Sequence, residues 1–162
     1  MTNSAIISPA AAALINTQIA NELHNEWQYR TFGAWTNALG LAHLSKYFST
    51  QADDEHGHAD KFKDYLLECN QPLQVPAIDV PLVSFMDCAE IADLRYQLEV
   101  ITTQQVDAIM ALAMQEDDYG LQDLMQWFCR EQKSELAEAL RLVSLVRLSG
   151  GNLLLIDIAV GD

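Results

Sequence analysis

A Glu and a His three residues apart, Glu55 and His58, stand in the middle of an otherwise core-like helical stripe, and few folds tolerate that placement. Counted in alternating steps of four and three, Leu44, Phe48, Gln51, Glu55, His58, Phe62, Tyr65 and Cys69 share one helix face. Leu, Phe and Tyr suit a stripe that faces a core. An ionised carboxylate does not, because burying it without a partner costs several kcal/mol. The i, i+3 spacing aims both side chains at one place. Taken alone, the motif is equally well read as a surface Glu–His pair.

Composition narrows the setting. The chain has 162 residues, half of them hydrophobic, which predicts one domain (1–162) with a single substantial core. Nine Lys and Arg against 23 Asp and Glu give a formal charge of −14. That balance excludes nucleic acid and anionic membranes as partners, since both call for basic patches. The first basic residue is Arg30, so no secretory or transit leader is expected, and no apolar run reaches the length of a membrane span. Cys69, Cys88 and Cys129 are odd in number and widely spaced, a pattern of reducing compartments, so a cytoplasmic location is expected.

The pattern predicts four long helices and a short tail, the bundle spanning about 9–148. Ser8-Pro9 marks a helix start, and the helical pattern continues to about Asn37. Gly40 is a short turn, and the second helix runs from about Leu41 to Cys69. Asn70 to Ser84 holds Pro72, Pro76 and Pro81 and is too long for a tight turn, so it reads as a crossover between bundle ends. A third helix is expected from about Phe85 to Gln115, and a fourth from Asp118, its N-cap, to about Leu148. Gly150-Gly151 stops it, and a short apolar element follows at about 152–160, helix or strand by pattern alone.

The remaining long helices repeat the anomaly. The first places Glu22, Glu26 and Tyr29 on the face of Ile15 and Ile19. The third places Glu99 in a stripe of Phe85, Cys88, Ala92, Tyr96, Thr103, Val106, Met110 and Ala113. The fourth places Glu135 beside Leu121, Leu124, Phe128, Ala139, Leu142 and Val146, with Glu131 and Gln132 one turn earlier. Carboxylates meeting in a low-dielectric interior repel one another, and none of these stripes supplies a Lys or Arg. Bound metal is the economical answer, and mostly oxygen ligands with one imidazole favour iron or manganese. Glu26, Asp60 and Asp64 are expected on solvated faces, and Tyr29 and Tyr96 by themselves read as core aromatics.

These residues are similar to those of the bacterial non-haem ferritins, over nearly the whole chain. The likeness rests on Asn21-Glu22-Leu23 followed by Tyr29, Asp54-Glu55-His56-Gly57-His58 leading to Asp64-Tyr65-Leu66, and Glu99 with Ile101-Thr102. Gln126-Trp127-Phe128 before Glu131-Gln132 and the tail Leu153-Leu154-Leu155-Ile156-Asp157 complete it. The resemblance implies an all-α, ferritin-like four-helix bundle with one long crossover and a short fifth helix. It further implies a homo-oligomeric shell of 24 subunits that oxidises Fe(II) with oxygen or hydrogen peroxide and stores Fe(III) mineral. By position, Glu22, Glu55 and His58 would hold the first of two irons per subunit; Glu55, Glu99 and Glu135 would hold the second, with Gln132, Tyr29 and Trp127 alongside.

A weak third iron site would use Asp54, Glu131 and Glu135, because Ser134 stands where that site usually has a Glu. The fourth helix has no second Glu-x-x-His, unlike bacterioferritin and rubrerythrin, and His56 replaces the bacterioferritin haem ligand, so no haem is expected. The usual acidic threefold-pore residues do not carry over: Gln122 and Met125 lie there, with Asp118 and Asp123 nearby. The rival readings are a soluble di-iron oxidase or peroxidase without mineral, a mini-ferritin, a catalytically inactive cage subunit and a helical interaction module. The apolar tail argues against the first, and the full ligand set against the inactive cage subunit.

Overall fold

The computed structural model describes residues 6–161 as five helices with no strand among them. Helix α1 spans Pro9–Ala38, α2 Ala42–Glu68, α3 Cys88–Gln115, α4 Tyr119–Leu148 and α5 Leu153–Gly161. The starts follow from local chemistry. Ser8 accepts a hydrogen bond from the Ala11 N–H ahead of Pro9, and Asp118 accepts one from Leu121 N–H. The third helix starts at Cys88 rather than Phe85, because Asp87 caps it by accepting from the Glu90 N–H. The tail is a helix. Gly150 and Gly151 take positive φ of 60° and 82° to turn the chain, and Asn152 then accepts from Leu155 N–H.

Helices α1 and α2 form one pair, α3 and α4 the other, and α1 packs against α3 to join them. The crossover is extended and runs along α1, which holds it by side-chain hydrogen bonds to its backbone. Asn16 accepts from Gln74 N–H, Gln28 both accepts from Leu82 N–H and donates to Leu82 carbonyl, and Thr31 donates to that same carbonyl. It therefore returns the chain to the α1 C-terminal end, where Phe85 packs edge-on against Phe32 and Trp35.

Two apolar clusters fill the bundle. One gathers Ile15, Ile19, Phe62, Ile109, Leu121 and Phe128; the other gathers Phe32, Phe48, Ile91, Leu142, Val146 and Ile156. All four long helices leave the apolar clusters at the same level: after Ile19 in α1, Ala52 in α2, Ala92 in α3 and Phe128 in α4. Between them lies a polar belt that includes Glu22, Asn25, Gln51, Glu55, His58, Arg95, Glu99, Thr102, Gln132 and Glu135, all buried.

The tail helix closes one end. Helix α2 begins after Leu41, which has no capping side chain, and Asp157 of α5 supplies the missing acceptor to Leu44 N–H at 2.8 Å. Asp157→Ala should cost about 1 kcal/mol of stability, the usual value of an N-cap. A urea titration would check it, and an unchanged midpoint would refute the cap.

Candidate metal centre

The belt is built from one or two turns of each long helix. Glu22 from α1 and Glu55 and His58 from α2 offer ligand atoms that all lie within 4.8 Å of one another, the one such cluster of three among the described residues. Glu22 is completely buried; Gln18 donates to its Oε1 at 2.7 Å, whereas its Oε2 has no hydrogen-bond partner. His58 Nδ1 is 3.3 Å from Glu55 Oε2, and its ring packs edge-on against both Trp127 and Phe128. Two buried carboxylates and an imidazole, with one Glu22 oxygen left without a hydrogen-bond partner, suit a hard or borderline divalent cation.

The other half of the belt is differently arranged. Tyr29 donates its hydroxyl to Glu99 Oε1, and Gln132 donates to Glu99 Oε2 at 2.7 Å. Glu135 is paired at 3.1 Å with Arg95, which is wholly buried and also bonded to Gln51. This overturns the expectation that the buried stripes carry no cation. The α3 stripe is turned by about one position from the expected face: Ile91, Arg95, Thr102 and Ile109 point inward, while Tyr96, Thr103 and Met110 are only partly buried.

Glu26 is a second correction. It is buried rather than solvated, because Arg30 one turn on and His56 from α2 bond it at 2.7 and 3.0 Å. Asp64 is exposed as expected, and Asp60 is half-buried beside Lys63. Glu131 is half-buried with an oxygen 4.0 Å from His58 Nε2, whereas Asp54 and Ser134 are exposed. Met125 lies in the core, so it faces no pore in this fold, and Asp118 is occupied as a cap.

The electrostatics follow from this crowding. Burial, then the neighbouring Glu55, raises Glu22 well above the ordinary carboxylate range; burial, then Glu99, does the same to Glu55. Tyr29 is likewise raised, by burial first and Glu99 next, so it stays a neutral donor. Glu135 moves from 4.5 to about 7, through burial and Glu99, with Arg95 pulling the other way. Burial by itself would lower the Arg95 pKa, but its surroundings outweigh that and keep it raised.

Comparison with known proteins now decides the family. The ferritin-like domain family matches residues 12–149. The chain belongs to the ferritin family. It is 31% identical over 157 residues to ferritin BfrB of Mycolicibacterium smegmatis, covering 97% of this chain and 87% of that one. It is 23% identical over 155 residues to a bacterial non-heme ferritin of Escherichia coli, covering 94% of each. Among solved structures, an open pore ferritin from the archaeon Archaeoglobus fulgidus superposes with a TM-score of 0.91 at 27% identity, covering 98% of each chain. The all-α fold with a short fifth helix is thus that of a ferritin. Among the described residues, no helix is long and apolar enough to cross a membrane.

Asn25 and Arg95, which sequence reasoning passed over, complete the belt together with Asn21 and Thr102. Asn21 and Asn25 both donate to Thr102 Oγ1, tying α1 to α3 at the level of Glu22 and Glu99. The signal for Arg95 was available: counting α3 from Cys88 through Ile91, Arg95, Glu99, Thr102, Val106 and Ile109 gives an equally regular stripe.

A carboxyl raised in the fold keeps a proton that the unfolded chain has released. Its contribution to stability is therefore full below pH 4.5 and is lost as pH rises to about 7 in the case of Glu135. The metal-free protein should lose stability across that window, and Glu135→Gln should flatten the slope. Urea midpoints measured through the window check this. Added Co(II) should reverse the loss, since metal takes the place of the protons.

Proposed function

We propose that this ferritin stores iron in a hollow cage and is a ferroxidase, taking Fe(II) as substrate at a paired site inside each subunit. The observation that carries the reading is the convergence of Glu22, Glu55 and His58, with one buried Glu22 oxygen unpartnered, in a chain of the ferritin family. Glu22, Glu55 and His58 would receive the first Fe(II). Glu55 would bridge to a second held by Glu99 and Glu135, with Gln132 and Tyr29 orienting Glu99 by the bonds already described. Two Fe(II) each give up one electron, and oxygen with two protons leaves as hydrogen peroxide. The Fe(III) produced then passes to the mineral.

Oxidation at such a site needs water kept from the metals and ligands fixed in advance. Trp127, Phe128 and Phe62 form a continuous aromatic wall beside His58, Phe62 and Phe128 being stacked at 3.9 Å. A third iron position using Asp54, Glu131 and Glu135 would be weak, since Asp54 and Ser134 face solvent. The archaeal neighbour is an open pore ferritin, and by that likeness we read this chain as a subunit of a homo-oligomeric cage, 24 copies in the closed form. The three free cysteines suit the reducing cytoplasm.

Glu55→Ala removes the bridge and should slow oxidation of the first two Fe(II) per subunit by more than the roughly 10–100-fold typical of losing an outer-shell partner. His58→Ala should act mainly on the first iron. Ser134→Glu should leave that first phase intact and alter oxygen consumed per iron on later additions. Stopped-flow absorbance on anaerobically prepared protein separates the cases. Oxidation by Glu55→Ala at the wild-type rate would remove the centre from these residues, and light scattering that finds only monomers or dimers would remove the cage.

A further inference from the structure

Arg95 is the largest fully buried side chain among the described residues, and it lies in the belt proposed above to receive cations. Its Nη2 carries every polar contact it has: Gln51, Glu135 at 3.1 Å and Glu138 at 3.7 Å. Its Nε and Nη1 are buried without an acceptor. A guanidinium locked for structure alone would use its fork on both sides. This one is held at one end only, between the rings of Tyr47 and Tyr29, with its centre 5.1 and 6.0 Å from them.

The two carboxylates it faces differ. Glu135 is buried in the belt, whereas Glu138, one turn further along α4, is half-exposed. Glu138, Tyr47 and Gln51 line a cavity of about 530 Å³ that also takes in Asp54 and Arg141, so there is room on the Glu138 side. At the Glu22–Glu55–His58 end no guanidinium or ammonium bonds the carboxylates. A metal arriving there separates no carboxylate from a guanidinium or ammonium. A metal arriving at Glu135 must break an ion pair and sit beside a fixed positive charge.

We propose that Arg95 is an internal counter-ion that competes with metal for Glu135 and swings to Glu138 when the metal wins, so that the two metal positions fill unequally. This rests on the paired-site reading above. Arg95 touches no reacting atom in it; it is a positioning residue that sets the affinity of the second position through Glu135.

The test is anaerobic calorimetry with Co(II) on the assembled protein. The wild type should take up one Co(II) per chain tightly and a second more weakly. Arg95→Met should tighten the second step by about tenfold or more and move the first by less than about threefold. Arg95→Lys, which keeps the charge, should restore the gap. Glu138→Gln removes the alternative partner and should weaken the second step several-fold with the first unchanged. It also keeps the question answerable should Arg95→Met fail to fold. Two equal steps in the wild type, a second step unmoved or weakened in Arg95→Met, or one unmoved in Glu138→Gln would overturn the competition while leaving the metal centre standing. No Co(II) uptake by the wild type would overturn both.

Discussion

Everything in this fold answers to one cost, that of holding four carboxylates in a dry interior. Glu22, Glu55, Glu99 and Glu135 are all buried, at one level of the bundle. The protein meets the cost in three ways. Hydrogen-bond donors serve Glu99, through Tyr29 and Gln132, and one oxygen of Glu22, through Gln18. A guanidinium serves Glu135. Protons serve the rest, which is why burial and mutual repulsion raise Glu22 and Glu55 so far. Of these three, protons are the ones a metal ion displaces most readily, and they are concentrated where the imidazole is.

The apolar clusters on either side make this arrangement affordable. A fully buried large apolar side chain contributes about 1.5–3 kcal/mol, and each cluster holds many. Helices long enough to run through both clusters carry the belt between them without needing it to stabilise itself. The ends are fixed separately. Asn16, Gln28 and Thr31 tie the crossover to α1, and Asp157 caps α2 from the tail helix. The site is therefore held from above and below, which preserves its ligand geometry while its charge changes.

Much of this was legible from residue spacing. Glu55 and His58 are informative because their neighbours Phe48 and Phe62 fix the face without ambiguity. The crossover was legible from three prolines, and the helix starts from Ser8 and Asp118. Helix α3 was harder. Its apolar residues are so evenly distributed that stripes one position apart are almost equally regular, and only packing against α1 and α4 chooses between them. The wrong phase left Arg95 off the buried stripe and brought Tyr96 in. Glu26 was lost for a related reason: its partner His56 comes from another helix, and no periodicity within α1 can reveal that. Spacing within a helix finds charges that face inward, but pairings made from another helix, such as His56 with Glu26 and Arg95 with Glu135, are assigned only in three dimensions.

That Arg95 is an arginine has consequences of its own. A lysine buried among carboxylates and tyrosines could lose its proton and become a neutral neighbour; a guanidinium stays charged at every physiological pH. The carboxyl groups around it do not share that constancy. As pH rises through about 7, where Glu135 titrates, the belt gains negative charge while its one fixed cation is unchanged. Demand for further cations therefore grows in the very range where protons leave. A lone cation is enough to keep Glu135 in place before metal arrives and too little to neutralise the cluster once the protons are gone. The remaining deficit lies at the Glu22–Glu55–His58 end, so the internal charge makes the belt electrostatically asymmetric.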